Sequence, residues 1–577
     1  MQSENKLQYK GQKTSQDLQN GPKAERGCTD ILCLLLFLGF AVFSGFLCYF
    51  SFQNGDASKL AVPYDPDHRP CGQGELADYP YIYFASPGPT TLYRTVCLKS
   101  CPKEGDSSLN CATNSVVTSC NGGVACLPEI ESYLDEISEA FSYQLVEQHL
   151  ADLTISWHLI VGAAAGSILI GLIFLVLVRF SAGCVVWLII LTLEFSIFAL
   201  AFLCYVQAET IYGQKSDAKS NQYLDAETYY YFGISLASIG GIIALIICCF
   251  YSKISLAIAV LKCSARFVYE TLSVIFVPLI FFVITFAYLA YWLVVAAYLY
   301  TCGTITDDEK SLPFAQFEYN DNVTYMAYAH GFHLLWVLAF FMASCQFVII
   351  GTCSYWYYER EGGVDTGAGT AFFLWLRYHL GTVAFGSFII AVIDTIRLIL
   401  AYIEEQAKNT AQNSEIVNYL FKCCQCCLYC FERFIKFINK NAYVQTVMTG
   451  NGFCTATKDA FFLILRNPVR IALVAGFGEV FEWFGSLAIA AATALAGYVA
   501  IQNIPYYNDN VSSPIAPVIV FGLIGFQIGS FLMGLFGTAA DCIIQLFCMD
   551  EEMNVNAKYE PEELREFRQE VENRNRK

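Results

Sequence analysis

The sequence predicts an all-α polytopic membrane protein with about ten transmembrane helices, and three properties favour this fold class: hydropathy, low charge and the spacing of long apolar segments. Of the 577 residues, 56% are hydrophobic and only 15% are charged. A soluble chain of this length would carry more surface charge. The hydrocarbon core of a bilayer, about 30 Å thick, is crossed by roughly 20 apolar helical residues. Segments of this length and character recur at 31–52, 156–178, 184–207, 229–251, 271–300, 326–353, 372–402, 471–501 and 515–548.

The sides of the membrane follow from basic residues and from two glycosylation sequons. Because lysine and arginine favour cytoplasmic flanks, the five basic residues of the N-terminal tail place the N-terminus inside, and Arg179 is predicted to lie in a cytoplasmic turn. Asn322 and Asn510 occupy the two N-x-S/T sequons, and glycosylation requires both to lie outside. Unless Asn510 is unused, an even number of crossings separates them. The less apolar segment 428–450 then supplies the tenth crossing, and its four charged residues must face protein or water.

So many crossings make movement of a solute across the bilayer the leading hypothesis. We expect a cytoplasmic N-terminal tail (1–29), a first transmembrane helix (30–52), an extracellular Cys-rich loop (53–155), a transmembrane transport domain of about nine helices (156–549) and a cytoplasmic acidic tail (550–577). The loop carries 14 acidic and five basic residues, and the net charge is −17. This acidic balance excludes a basic surface for nucleic acid.

The chain has 25 cysteines, and the six that lie in the extracellular loop are on the oxidising side of the membrane. Up to three disulfides, whose pairing stays open among 15 arrangements, are predicted among the six in the extracellular loop: Cys71, Cys97, Cys101, Cys111, Cys120 and Cys126. A zinc site is the alternative, but no histidine stands among them. The cluster at 423–430 favours packing or acylation over a disulfide or a metal site. No metal or cofactor is expected.

No catalytic motif such as HExxH, GxSxG or a Walker loop occurs in the sequence, so an enzyme is not predicted. The small-xxx-small patterns Gly162–Gly166 and Gly525–Gly529 predict close helix packing. Ionisable residues at membrane depth are costly and therefore mark candidate functional positions: Glu194, Asp394, Arg397, Glu479, Glu482 and Asp541. Asp394 and Arg397 are close enough to pair with each other, whereas the glutamates favour a water-filled path or a proton-linked site.

The fifth predicted span is rich in aromatic residues. Tyr288, Tyr291 or Trp292, and Tyr298 fall close to one stripe of the helix. Aromatic rings bind a quaternary ammonium ion by cation–π attraction, each face contributing roughly 0.5–2 kcal/mol. Ordinary aromatic packing is the alternative interpretation of this stripe. On the sixth span, His330, His333 and Trp336 share one face.

The run at 377–391, RYHLGTVAFGSFIIA, closely resembles the signature of the choline transporter-like family. The stretches at 423–447 and 453–472 are similar to that family as well, and the likeness covers roughly 70–550. It implies ten spans, inside termini, a disulfide-stapled first loop, and transport of choline, or in some members ethanolamine, with proton exchange as a coupling. Family positions are matched at Tyr291, Trp292, His330, Trp336 and Glu479, whereas Glu194, Asp394 and Glu482 depart from the pattern.

The sequence therefore predicts a multi-pass transporter for choline or a related organic cation, working by alternating access in the plasma membrane or an organelle membrane. Tyr291 and Trp292, assisted by Tyr288 or Tyr298, would form the ammonium cage. His330 and Trp336 would close the site, and Glu479 would supply negative charge or carry the coupled proton. The alternatives are a membrane scaffold or receptor that keeps the fold, and a lipid-modifying enzyme with His379 or His330 as its base.

Overall fold

The computed structural model describes residues 16–57, 59, 64, 69–84, 95–99, 125–126, 152–213, 220–249, 251–305, 317–359, 367–410, 415–554 and 557–576. In these residues the chain is a bundle of long helices, which confirms the predicted fold class. The helices are α1 (Ile31–Asn54), α2 (Trp157–Gly213), α3 (Ser220–Cys249), α4 (Tyr251–Glu270), α5 (Phe276–Tyr300), α6 (Asp321–Tyr358), α7 (Ala368–Leu374), α8 (Leu380–Thr410), α9 (Glu415–Thr449), α10 (Phe453–Arg466), α11 (Pro468–Asn503), α12 (Pro505–Asn510), α13 (Ile515–Met553) and α14 (Glu562–Arg576). A π-helical turn, Trp375–His379, joins α7 to α8, and short 3-10 turns lie at Gln16–Leu18, Gly74–Leu76 and Leu272–Ile275.

Nine segments of the described chain are long and apolar enough to cross a membrane. They correspond to the nine apolar predictions and lie at Ile31–Asn54, Trp157–Leu177, Val186–Ile211, Ala226–Cys249, Leu272–Tyr300, Asp321–Tyr358, Ala368–Ala407, Pro468–Asn503 and Ile515–Met553. The chain is thus a multi-pass membrane protein.

The second and third predicted spans belong to one continuous helix. α2 runs for 57 residues through position 179, so the prediction of a turn at Arg179 is wrong. The segment 179–183 contains no proline and a single glycine. Nothing in it therefore removes a hydrogen bond from the helical ladder, and the helix continues.

The helix α9, which contains the predicted tenth crossing, lies antiparallel to α8. The Asn439 side-chain amide donates to the carbonyl of Gly386 at 3.0 Å, and further along both helices Arg397 pairs with Glu432. Glu432 also accepts a bond from Lys436 at 2.5 Å. Arg397 therefore has an ion-pair partner on α9, and its predicted pairing with Asp394 on its own helix stays a prediction. The tenth crossing stays a prediction, which these contacts between charged side chains and protein support.

Close contact between α11 and α13 confirms one of the two small-residue patterns. A Cβ added at Gly529 would lie 2.9 Å from the Cα of Ser486, and one at Gly525 would lie 2.8 Å from the Thr493 side chain. The prediction is wrong for Gly162 and Gly166, because no described atom comes within 4 Å of a Cβ at either position. From Leu532 onward α13 is largely buried, and it forms the centre of the hydrophobic core.

The extracellular loop is described only in part. Strand β1 (Tyr81–Phe84) pairs antiparallel with β2 (Thr95–Leu98), with Ile82 opposite Cys97, and parallel with β3 (Ala125–Cys126). A disulfide joins Cys71 to Cys97 with a Cα–Cα distance of 5.5 Å, which confirms a predicted staple and identifies its pairing. The positions Cys101, Cys111 and Cys120, and the side chain of Cys126, lie outside the described residues. A two-stranded ladder, β4 (Thr304–Ile305) with β5 (Phe317–Glu318), follows α5.

Candidate transport site

The predicted aromatic residues of α5 meet the histidines of α6 where these two helices pack together. The indole Nε1 of Trp292 donates to the carbonyl of His330 at 3.0 Å, and the Nε2 of His330 lies 3.2 Å from the carbonyl of Trp292. Their rings stack with centroids 4.9 Å apart and planes 7° from parallel. The imidazole of His330 therefore covers a face of the Trp292 indole.

A second ring pair lies one helical turn away. The hydroxyl of Tyr288 lies 3.0 Å from the Nδ1 of His333, a buried residue. We refer to Tyr288, Trp292, His330 and His333 as the ring cluster. His333 was predicted to share a face of α6 with His330 and Trp336, but it was not assigned to the site. Its spacing of three residues from His330 could have indicated that it belongs there.

The other predicted rings turn towards α1 or into the bundle. Tyr291 donates its hydroxyl proton to the carbonyl of Ser44 at 3.1 Å, and Tyr298 packs on Phe52 with a centroid distance of 4.2 Å. Trp336 is fully buried and donates to the carbonyl of Ala384 at 3.1 Å. These three residues therefore contribute contacts between helices, and they adjoin the ring cluster without completing a cage around one point.

The predicted acid, Glu479, is not near the rings. Its carboxylate accepts a bond from Arg433 of α9 at 2.5 Å, and its side chain is 59% exposed. Three residues later on α11, Glu482 points into the bundle. Gly534 and Gly537 of α13 make room for it, since a Cβ at either position would lie 3.3 Å from a carboxylate oxygen of Glu482.

Glu482 lines a cavity of about 120 Å³ between five helices. We call it the polar cavity. Its lining includes Gln346 from α6, Lys440 from α9, Glu482 from α11, and Gln527, Ser530, Phe531 and Thr538 from α13. Drug-sized ligands occupy about 300–1,000 Å³, so this space suits a solute of only a few heavy atoms.

Two carboxylates and one ammonium group determine the charge at the cavity. The Nζ of Lys440 lies 3.5 Å from Oδ2 of Asp541, and Lys440 also interacts electrostatically with Glu482. Lys440 contributes +1, whereas Asp541 and Glu482 each contribute −1 when ionised, so the formal charge of the group is −1. A small cation is the charge class that would balance it.

The ring cluster and the polar cavity are neighbours along α5 and α6. Tyr288 packs edge-on against Phe341 at 5.9 Å, and the next residue, Met342, lines the cavity. Phe282 of α5 packs on the cavity residue Phe531 at 5.0 Å. Along α6, Met342 follows His330 and His333 by 12 and nine residues, which corresponds to about 18 and 14 Å along the helix axis.

The comparisons with known proteins agree over nearly the whole chain. The family model described as plasma-membrane choline transporter matches residues 234–552. Choline transporter-like protein 2 of Dictyostelium discoideum is 29% identical over 94% of this chain and 94% of its own length. Choline transporter-like protein 1 of Mus musculus is 25% identical, covering 92% of this chain and 90% of its own. Choline transporter-like protein 4 of Xenopus laevis is 26% identical, with 93% of each covered. The ring cluster and the polar cavity both fall within the family match.

Proposed function

Since this chain belongs to the choline transporter family, we propose that it carries choline or a related small organic cation, such as ethanolamine, across the membrane by alternating access. The family description also supports the plasma membrane as its location. The observation that carries the substrate class is the ring cluster, in which an indole face is covered by an imidazole at membrane depth.

In this arrangement the Trp292 indole is closed by the stacked imidazole of His330. A quaternary ammonium ion would take the place of the imidazole over that indole. Cation–π attraction of about 2 kcal/mol in a desolvated site would offset the loss of the ring stack. Tyr288 would supply a second face, while Tyr291 and Tyr298 hold the neighbouring α1 through Ser44 and Phe52. Trp336 would support the site from behind.

Glu479 was predicted to supply negative charge or to carry the coupled proton, and its ion pair with Arg433 limits that role. Because it faces Arg433 in this arrangement, it would serve the substrate only after that ion pair opens. We propose that substrate movement is coupled to proton exchange. The part-buried Lys440–Asp541 pair beside Glu482 supports this, because a carboxylate in such a pair can bind and release a proton in a region of low dielectric.

Uptake of labelled choline into vesicles that contain the purified protein tests the proposal. We expect saturable uptake that increases when the pH gradient is imposed in one direction and falls when a protonophore dissipates it. Trp292→Ala should lower uptake at least tenfold, corresponding to about 1.4 kcal/mol. The matched control is Trp483→Ala, because this tryptophan is 53% exposed on α11 and packs edge-on against Phe484.

Unchanged uptake by Trp292→Ala would refute the assignment of the rings. Saturable binding without any uptake by the unaltered protein would favour a receptor that keeps the family fold. Uptake that does not respond to the pH gradient would remove proton exchange and leave the transport of the cation standing.

A further inference from the structure

The polar cavity has a property that the ring cluster lacks, namely an unbalanced formal charge. The ring cluster contributes aromatic faces and two imidazoles, and it contains no carboxylate; Tyr288 bonds to His333, and Trp292 bonds to the backbone of His330. The polar cavity instead brings Glu482 and Lys440 to one space between helices, and Asp541 pairs with the lysine at 3.5 Å.

The nearby charges of α9 and α11 do not cancel this excess. Glu479 is balanced by Arg433 at 2.5 Å, and Lys440 is held by Asp541 at 3.5 Å. Glu482 also faces the cavity, and the described contacts give it no salt bridge comparable to those of Glu479 and Asp541. Burying an ionised carboxylate is costly unless a charge of opposite sign approaches it.

We propose that the polar cavity is a second binding site for the transported cation, in which Glu482 binds the ammonium group and Lys440 acts as a tethered competitor. This inference rests on the proposed function. When the cavity is empty, the ammonium group of Lys440 serves both carboxylates. When the solute arrives, Lys440 stays with Asp541, and Glu482 pairs with the substrate. Gln346, Gln527 and Ser530 are the groups available for a hydroxyl or amine at the other end of the solute.

The proposal predicts how the affinity for choline depends on the formal charge at the cavity. The unaltered cavity carries −1, Glu482→Gln carries 0, Lys440→Gln carries −2, and the double variant Lys440→Gln/Glu482→Gln returns to −1. Affinity for choline should rise as the charge becomes more negative. Lys440→Gln should therefore bind more tightly than the unaltered protein, and Glu482→Gln should bind at least tenfold more weakly. The double variant should still be weak, because the carboxylate that contacts the ammonium group is absent even though the net charge is restored.

The shape of the cavity provides a test that does not change its charge. A Cβ at Gly534 would lie 3.3 Å from Oε1 of Glu482, so Gly534→Ala should displace that carboxylate and weaken binding. Gly522→Ala is the matched control on the same helix, because its Cβ would meet only Ala494, at an ordinary 3.7 Å.

The experiment is equilibrium binding of labelled choline to the purified full-length protein in detergent, with the thermal transition of each unliganded variant as a check on folding. Competition by unlabelled tetramethylammonium, ethanolamine and the neutral isostere 3,3-dimethylbutan-1-ol identifies the chemistry that is recognised. We expect both cations to compete and the neutral alcohol to fail. If Lys440→Gln does not fold because Asp541 is left unpaired, Lys440→Gln/Asp541→Asn keeps the charge at −1 and removes the competing ammonium group, so it should bind choline more tightly than the unaltered protein does.

Two results separate this inference from the proposed function. Weakened binding in Trp292→Ala together with unchanged binding in Glu482→Gln and Gly534→Ala would overturn the second site and leave the transporter proposal intact. Competition by the neutral isostere as strong as by tetramethylammonium would also overturn the role of Glu482. Absence of saturable binding to the unaltered protein would overturn both.

Discussion

Replacement of Trp336 distinguishes a substrate-binding ring from a ring that holds helices together. The indole is fully buried and is surrounded by Phe37 and Phe40 of α1, each at 5.3 Å, and by Phe388 of α8 at 5.0 Å. Its Nε1 donates to the carbonyl of Ala384 at 3.1 Å. Removal of this side chain therefore opens a void at the junction of three helices.

The expected cost follows from two separate terms. Trp336→Phe keeps most of the packing but removes the indole's hydrogen bond to the Ala384 carbonyl, which still accepts from the Ser387 hydroxyl at 3.0 Å; loss of one such bond costs about 0.5–1.5 kcal/mol. Trp336→Ala also creates a cavity, and truncations of this kind cost about 3–5 kcal/mol. In a membrane the packing term persists because interhelical van der Waals contact drives association there.

The assay is the thermal transition of purified protein in detergent, measured together with choline uptake per folded molecule. We expect the transition to fall in the order unaltered protein, Trp336→Phe, Trp336→Ala. Exposed Trp483→Ala serves as the control for loss of a tryptophan and should leave the transition unchanged. A Trp336→Ala protein with an unaltered transition and abolished uptake would refute the packing argument and return Trp336 to the substrate site.

Two further predictions concern helix packing and buried charge. Gly529→Leu should prevent α13 from approaching Ser486 and sharply reduce the yield of folded protein, whereas Gly162→Leu should be tolerated because no described atom lies within 4 Å of a Cβ there; size-exclusion profiles of the two variants check this. Glu432→Gln should lower the thermal transition by an amount equivalent to about 1–3 kcal/mol, because it leaves Arg397 and Lys436 without their shared carboxylate. The matched change Glu479→Gln affects an exposed pair and should cost less than 1 kcal/mol, roughly the upper limit for a surface ion pair; equal losses in the two variants would contradict the assignment.

The membrane-spanning segments were predictable from the sequence because their signal is local. An apolar run of about 20 residues has the same meaning wherever it occurs, since lipid requires every backbone polar group to be bonded within the helix. The continuation of the helix through Arg179 was not predictable in the same way. A basic residue between two apolar runs is compatible with a turn, but only the backbone shows that the helical ladder continues through 179–183.

The residue types of the site were also visible in the sequence. Glu479 and Glu482 stand three positions apart on one helix, and both are costly in lipid. Which of them faces the bundle was decided by other helices. Arg433 on α9 holds Glu479 at the exposed side, and Gly534 and Gly537 on α13 leave space for Glu482 inside.

By itself the sequence determined the class of protein, the apolar spans, the family resemblance and the chemistry of the aromatic stripe. Tertiary structure alone decided that Trp292 stacks on His330, that Cys71 pairs with Cys97, and that Lys440 meets Asp541 across 101 positions of chain. The physical reason is the range of the interactions. Hydropathy and helical periodicity act between near neighbours, whereas charge pairing and ring stacking join residues that only the packing of separate helices brings together.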